Sequence, residues 1–123
     1  MTSTPSASRE EQIRFLAEVL AARGGYFARS GRAAEAERDL QLALAVLPNS
    51  PQALANCGYL AERGGRVEEA LTLYRRALAL DPQSTTALNN LAGMLVARPS
   101  GREYAPEEAA RLYEERLLEV FDA

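Results

Sequence analysis

The chain matches itself. Laid over Pro51–Ser84 with a shift of 34 residues, Ala17–Ser50 gives thirteen identical positions, among them Leu20/Leu54, Gly24/Gly58, Gly31/Gly65, Ala36/Ala70, Ala43/Ala77, Pro48/Pro82 and Ser50/Ser84. A fixed period of this length admits few folds. Each period has to be one supersecondary unit whose apolar face is hidden only by the next unit. Within Pro51–Ser84, two helix-period patterns flank Gly64-Gly65. Ser50-Pro51 supplies a capping hydroxyl followed by a proline at the first helical position, and Pro82-Gln83-Ser84 closes one helix and caps the next. The spacing predicts stacked helical hairpins.

The repeated columns carry a second message. The central unit sets Leu54, Cys57-Gly58, Ala61, Ala70, Tyr74, Ala77 and Pro82 at intervals that resemble the tetratricopeptide (TPR) family, with Cys57 where leucine is usual and Ala61 where tyrosine is usual. The resemblance covers about Ala17 to Phe121, as two full units and an altered third. It implies an all-α fold, a right-handed α-solenoid of helix-turn-helix repeats with about six helices, acting as a non-catalytic protein-protein interaction module. In such a hairpin Gly58 and Ala70 are expected to be the small surfaces through which the two helices touch. Tyr74 and Ala77 are expected to pack towards the next unit.

In chain order, Met1–Ala7 reads as a disordered tail and residues 8–123 as one domain, with units at about 9–50, 51–84 and 85–123. Ser8 and Glu11 have the spacing of a capping box, opening a helix that runs to Arg29. Its first turns, around Ile13 and Leu16, precede the repeat and are expected to seal the open end of the stack. Further helices follow at Arg32–Leu47, Pro51–Arg63 and Val67–Leu80. Ser84 caps the third unit, where Ala87, Leu88, Leu91, Ala92 and Leu95 continue the core columns. After Arg98-Pro99 the turn is long, and Pro106-Glu107-Glu108 opens a last helix. There Ala109 and Tyr113 resume the Ala70/Tyr74 spacing five residues late, and Arg116 stands where Ala43 and Ala77 stood.

Composition excludes several classes. Net charge is −3 and the isoelectric point about 5.1, which advertises neither nucleic acid nor an anionic membrane. All fourteen cations are arginine, which reads as GC-rich coding, with arginine clusters as anion binders the lesser option. An apolar run long enough to span a bilayer is missing, as is a basic-then-apolar leader, so the chain reads as soluble and cytoplasmic. With no histidine and one cysteine, there is no thiol–imidazole pair, disulfide or metal-ligand set. No enzyme and no cofactor are expected. Cys57 reads as a small buried hydrophobe, and Asp39 and Asp81 as surface residues. The pairs Glu68-Glu69 and Glu107-Glu108 open helices, where acids favour the helix dipole.

The resemblance also implies a concave face lined by the first helix of each unit. Carried over by place, that face includes Gln52, Asn56, Tyr59 and Arg63 from the second unit and Asn89 and Asn90 from the third. A partner protein or peptide is the expected ligand. Asn56 and Asn90 share one place 34 residues apart. A carboxamide both donates and accepts, so the two form either a ladder that grips a peptide backbone or a brace between neighbouring helices. The residues that a carboxylate clamp would need are replaced by Ala21, Gly25, Thr86 and Asn90. On the last helix, Leu117 and Phe121 widen the apolar arc and mark a candidate self-association flank. A structural homo-oligomer is therefore the alternative reading. An RNA-binding helical repeat is a third, disfavoured by the acidic charge.

Overall fold

The computed structural model describes residues 8–97 together with 107, 108, 110, 111, 114 and 115. Five helices follow one another: α1 (Arg9–Arg29), α2 (Ala33–Val46), α3 (Pro51–Arg63), α4 (Val67–Leu80) and α5 (Thr85–Ala97). The described residues from 107 to 115 are also helical. The tail 1–7, the long turn and the Leu117/Phe121 flank lie outside the described residues.

The helix ends sit where the sequence places them. The hydroxyls of Ser8, Ser50 and Ser84 accept from the backbone N–H groups of Glu11, Ala53 and Ala87 at 3.1, 3.2 and 3.3 Å. Each takes up a donor that the first helical turn leaves unpaired. The hairpin turns repeat as faithfully. Gly31 and Gly65 hold φ at 78° and 79°, the left-handed region that glycine enters at least cost. Beyond them Arg32 and Arg66 donate their N–H groups to Phe27 and Ala61, both at 2.8 Å, closing the same helix-ending motif twice. Each arginine then pairs with the glutamate three residues on, Arg32 with Glu35 and Arg66 with Glu69.

α1 and α2 form one hairpin and α3 and α4 the next; α3 packs on both α1 and α2, and α5 on both α3 and α4. First helices therefore lie beside first helices, with the second helices behind them: a helical-repeat solenoid. Ala21, Leu40, Ala43 and Ala53 form the core between the first hairpin and α3. Leu54, Leu71, Tyr74, Ala77, Ala87, Leu91 and Leu95 form the larger core from α3 to α5. The expected third-unit columns Ala87, Leu88, Leu91, Ala92 and Leu95 are all buried.

One expectation is extended and two are corrected. The surface nearest Gly58 is the ring of Tyr74: a Cβ built on Gly58 would stand 2.7 Å from Cε1. The hairpin approach thus also sets small on large: 34 residues earlier Gly24 meets Leu40 in the same way, with the Ala36 carbonyl next at 3.4 Å. Asp39 is not a surface residue; it is 1% exposed, in the middle of α2. Ile13 and Leu16 do not seal the stack, since both remain exposed on α1. The reason is length. α1 has 21 residues against 14 in α2, so about 10 Å of straight helix, at 1.5 Å per residue, has no antiparallel partner.

Candidate functional site

The first helices α1, α3 and α5 bound a cavity of about 240 Å³ together with the turn that precedes α5. Ala22, Arg29, Gln52, Ala55, Asn56, Asp81, Ser84 and Thr86 line it. Helical spacing explains the membership. Ala22 and Arg29 are two turns apart on α1, and Gln52, Ala55 and Asn56 share one face of α3. Ser84 and Asp81 come from the turn, where Asp81 Oδ1 accepts the Gln83 N–H at 3.1 Å. Of the six residues carried over as candidates, Gln52 and Asn56 line this cavity. Tyr59 and Arg63 continue their stripe along α3 beyond it, and Asn89 and Asn90 lie on α5 outside its lining. Sequence reasoning treated Asp81 only as a surface acid and Ser84 only as a cap. The same 34-residue turn that shows them as punctuation also faces them inward.

The two asparagines are engaged differently. Asn56 is 6% exposed, and its Nδ2 donates to the carbonyl of Ala21 on α1 at 2.9 Å. Gly25 makes the room: a Cβ there would lie 2.5 Å from Nδ2. The half-buried Asn90 instead stands near the Tyr74 phenol. That phenol donates to Glu62 Oε1 at 2.8 Å, so one buried tyrosine of α4 ties together α3 and α5. Burial first, and then the neighbouring Glu62 carboxylate, raise the Tyr74 pKa, which keeps the phenol protonated and donating.

A second polar arrangement stands on the first hairpin. Arg23 Nε donates to Asp39 Oδ2 at 2.6 Å and Nη2 to Oδ1 at 2.9 Å, a two-pronged pair. The hydrogen bond from Arg23 lowers the Asp39 pKa against the opposing effect of burial. Asp39 is thus covered, yet close to the surface beneath a guanidinium that stays exposed. Arg32 lies over the Phe27 ring at 4.7 Å, and Arg75 ties α4 to Glu108 at 3.0 Å. The half-buried Cys57 thiol has its pKa pushed up to about 11, by burial first and then by Glu69 and Glu37, so it is a poor nucleophile at neutral pH. Among the described residues no group of three or more His, Cys, Asp or Glu side chains could hold a metal ion. No helix among them is long and apolar enough to cross a membrane.

A stack of hairpins at a 34-residue period, with first helices aligned along one face, defines a helical-repeat protein. Residues 63–93 match the family model of the TPR repeat. The match spans the end of α3, all of α4 and the first two turns of α5, including Ala70, Tyr74, Ala77 and Pro82. No curated protein matches the chain. A TPR repeat indicates a protein-protein interaction module, of a kind that is typically non-catalytic.

Proposed function

We propose that the cavity between α1, α3 and α5 takes an extended segment of a partner protein. The observation that carries this reading is the composition of the groove. It joins an apolar floor, Ala22 and Ala55, to side chains that donate and accept, Arg29, Gln52, Asp81 and Thr86. A peptide backbone presents alternating donors and acceptors, so such a rim recognises main chain more than side chains. Arg29 and Asp81 offset each other in charge, so binding has a weak salt dependence. Asn56 contributes the oxygen and the second N–H that its bond to Ala21 leaves over. Tyr59, Arg63, Asn89 and Asn90 extend the contact beyond the cavity, with Tyr59 as its aromatic platform.

The test starts with a displayed library of random peptides selected on the immobilised chain. Calorimetry then follows a selected peptide on the wild type and on Gln52→Ala/Thr86→Ala. Each lost side-chain hydrogen bond costs about 0.5–1.5 kcal/mol, so the double variant binds roughly tenfold to a hundredfold more weakly at an unchanged melting temperature. Affinity left intact by that variant moves the site out of the groove.

A further inference from the structure

α1 carries an apolar stripe that none of the described residues covers. Phe15, Val19 and Tyr26 are 68%, 46% and 59% exposed. With the exposed Ala22 they recur at steps of four, three and four residues, the spacing of a helix-pairing seam. Further along the chain the outer columns of first helices are covered. Ala53, Cys57 and Leu60 pack into the core that contains Leu40 and Ala43 of α2. Ala87 and Leu91 pack into the core that contains Leu71, Tyr74 and Ala77 of α4. The places in α1 that correspond to Ala53, Cys57 and Leu60 belong to Val19, Arg23 and Tyr26. Arg23 decides what does not dock there. Its guanidinium is fixed to Asp39 and exposed, and one more hairpin stacked in the same register would bury it at a desolvation cost. The stripe instead bypasses Arg23 and runs on to Phe15.

We propose that this face pairs with the same face of a second copy of the chain, α1 against α1, antiparallel, about a twofold axis near Leu20 and Ala21. Two features select that occupant. The stripe is symmetric about this point, so Phe15 of one chain lies against Tyr26 of the other, and Val19 against Ala22. Rings meet at both ends and small side chains meet in the middle. The flanking charges are complementary in this direction only. Glu11 and Arg29 are eighteen residues apart, five turns at about 3.6 residues each, and so occupy one flank of the stripe at opposite ends. Antiparallel pairing sets Glu11 of each chain beside Arg29 of the other, whereas parallel pairing puts the two charged flanks on opposite sides of the seam and matches neither residue. Within one chain neither residue forms an ion pair among the described residues. α1 extends about 32 Å, and one helix pair of that length is a small interface, so the dimer dissociates on the order of micromolar concentration.

Sedimentation equilibrium of the full chain across roughly 1–200 µM, bracketing that range, tests the pairing, with far-UV circular dichroism to follow the fold. The wild type is a reversible dimer. Val19→Glu and Glu11→Arg each weaken it about tenfold or more by placing a charge in the seam or like charges opposite one another. The combined Glu11→Arg/Arg29→Glu variant regains wild-type association. A wild type that stays monomeric throughout overturns the proposal. So does a dimer indifferent to Val19→Glu, which places the contact elsewhere, including the C-terminal flank. Failure of the double reversal to restore association excludes the antiparallel arrangement. Arg29 also lines the groove, so the groove is judged on Val19→Glu and Glu11→Arg, which leave every groove residue in place and should keep peptide affinity unchanged.

Discussion

The first and central hairpins are built on one pattern and differ most in a single pair of columns. Arg23 and Asp39 in the first hairpin stand where Cys57 and Leu73 stand in the central one. The first pair is a two-pronged ion pair beneath an exposed guanidinium. The second pair is apolar: Cys57 packs on the core of the preceding hairpin and Leu73 on the core shared with the following helix. The difference follows from position in the stack. A column with a neighbouring hairpin is best filled by side chains that lose water on burial. A column facing solvent tolerates a charge that covers the polar group behind it. The small-on-large contact differs in the same sense. Gly24 receives the flexible side chain of Leu40, and Gly58 receives a tyrosine ring anchored by Glu62.

The largest effect that sharpens this comparison comes from filling the glycines. Gly58→Ala drives a methyl group onto a fully buried aromatic ring whose phenol is tied to Glu62, costing about 1–3 kcal/mol net of alanine's better helix propensity. Gly24→Ala meets chiefly the Leu40 side chain, which can change rotamer, with the Ala36 carbonyl next at 3.4 Å, and costs about half as much by the same reasoning. Urea denaturation of both variants reads the difference, and equal costs would show that the tyrosine anchor adds no rigidity.

Next in size is the asparagine that joins the two hairpins. Asn56→Ala removes the hydrogen bond that ties α3 to the Ala21 carbonyl of α1 and lowers stability by about 1–2 kcal/mol. Asn90→Ala costs less, because the Tyr74 phenol keeps Glu62. Thermal melts of the two variants rank them, and the reverse order would make Asn90 the principal brace.

The ion pair makes a smaller contribution that depends on pH. The folded-state pKa of Asp39 is lowered, so its stabilisation is fully present above the ordinary value of about 3.9 and is lost as pH falls through the folded value. Asp39→Asn removes that part of the acid-side slope while leaving the neutral-pH fold intact. Melting temperatures of wild type and variant, followed from neutral pH downward, should therefore converge. Curves that stay parallel would mean the pair is not formed in solution. The smallest effect concerns reactivity alone. With the Cys57 pKa at about 11, alkylation of the folded chain is slow at neutral pH and rises with pH as the thiolate forms. Thiol labelling in native buffer and in urea separates the folded-state rate from that of the open chain.

The sequence by itself determined the period, the five described helices and their ends, because those depend on local chemistry. Serine hydroxyls, a proline at the first helical position and glycines after the last turn act within a few residues of where they stand. It also determined which columns are core, since a 34-residue recurrence of Ala36/Ala70 and Ala43/Ala77 reports burial in both units. It left the two asparagines undecided between gripping a ligand and bracing helices. Only the tertiary structure separated them, by placing Gly25 beneath Asn56 and Tyr74 beside Asn90. Asp39 was misread for a related reason. An aspartate on a helix looks solvent-facing until an arginine from another helix covers it. The exposed stripe on α1 has the same local pattern as a buried one. Whether an apolar face is core or surface depends on whether a neighbour lies across it, and that neighbour is a matter of chain geometry far along the sequence.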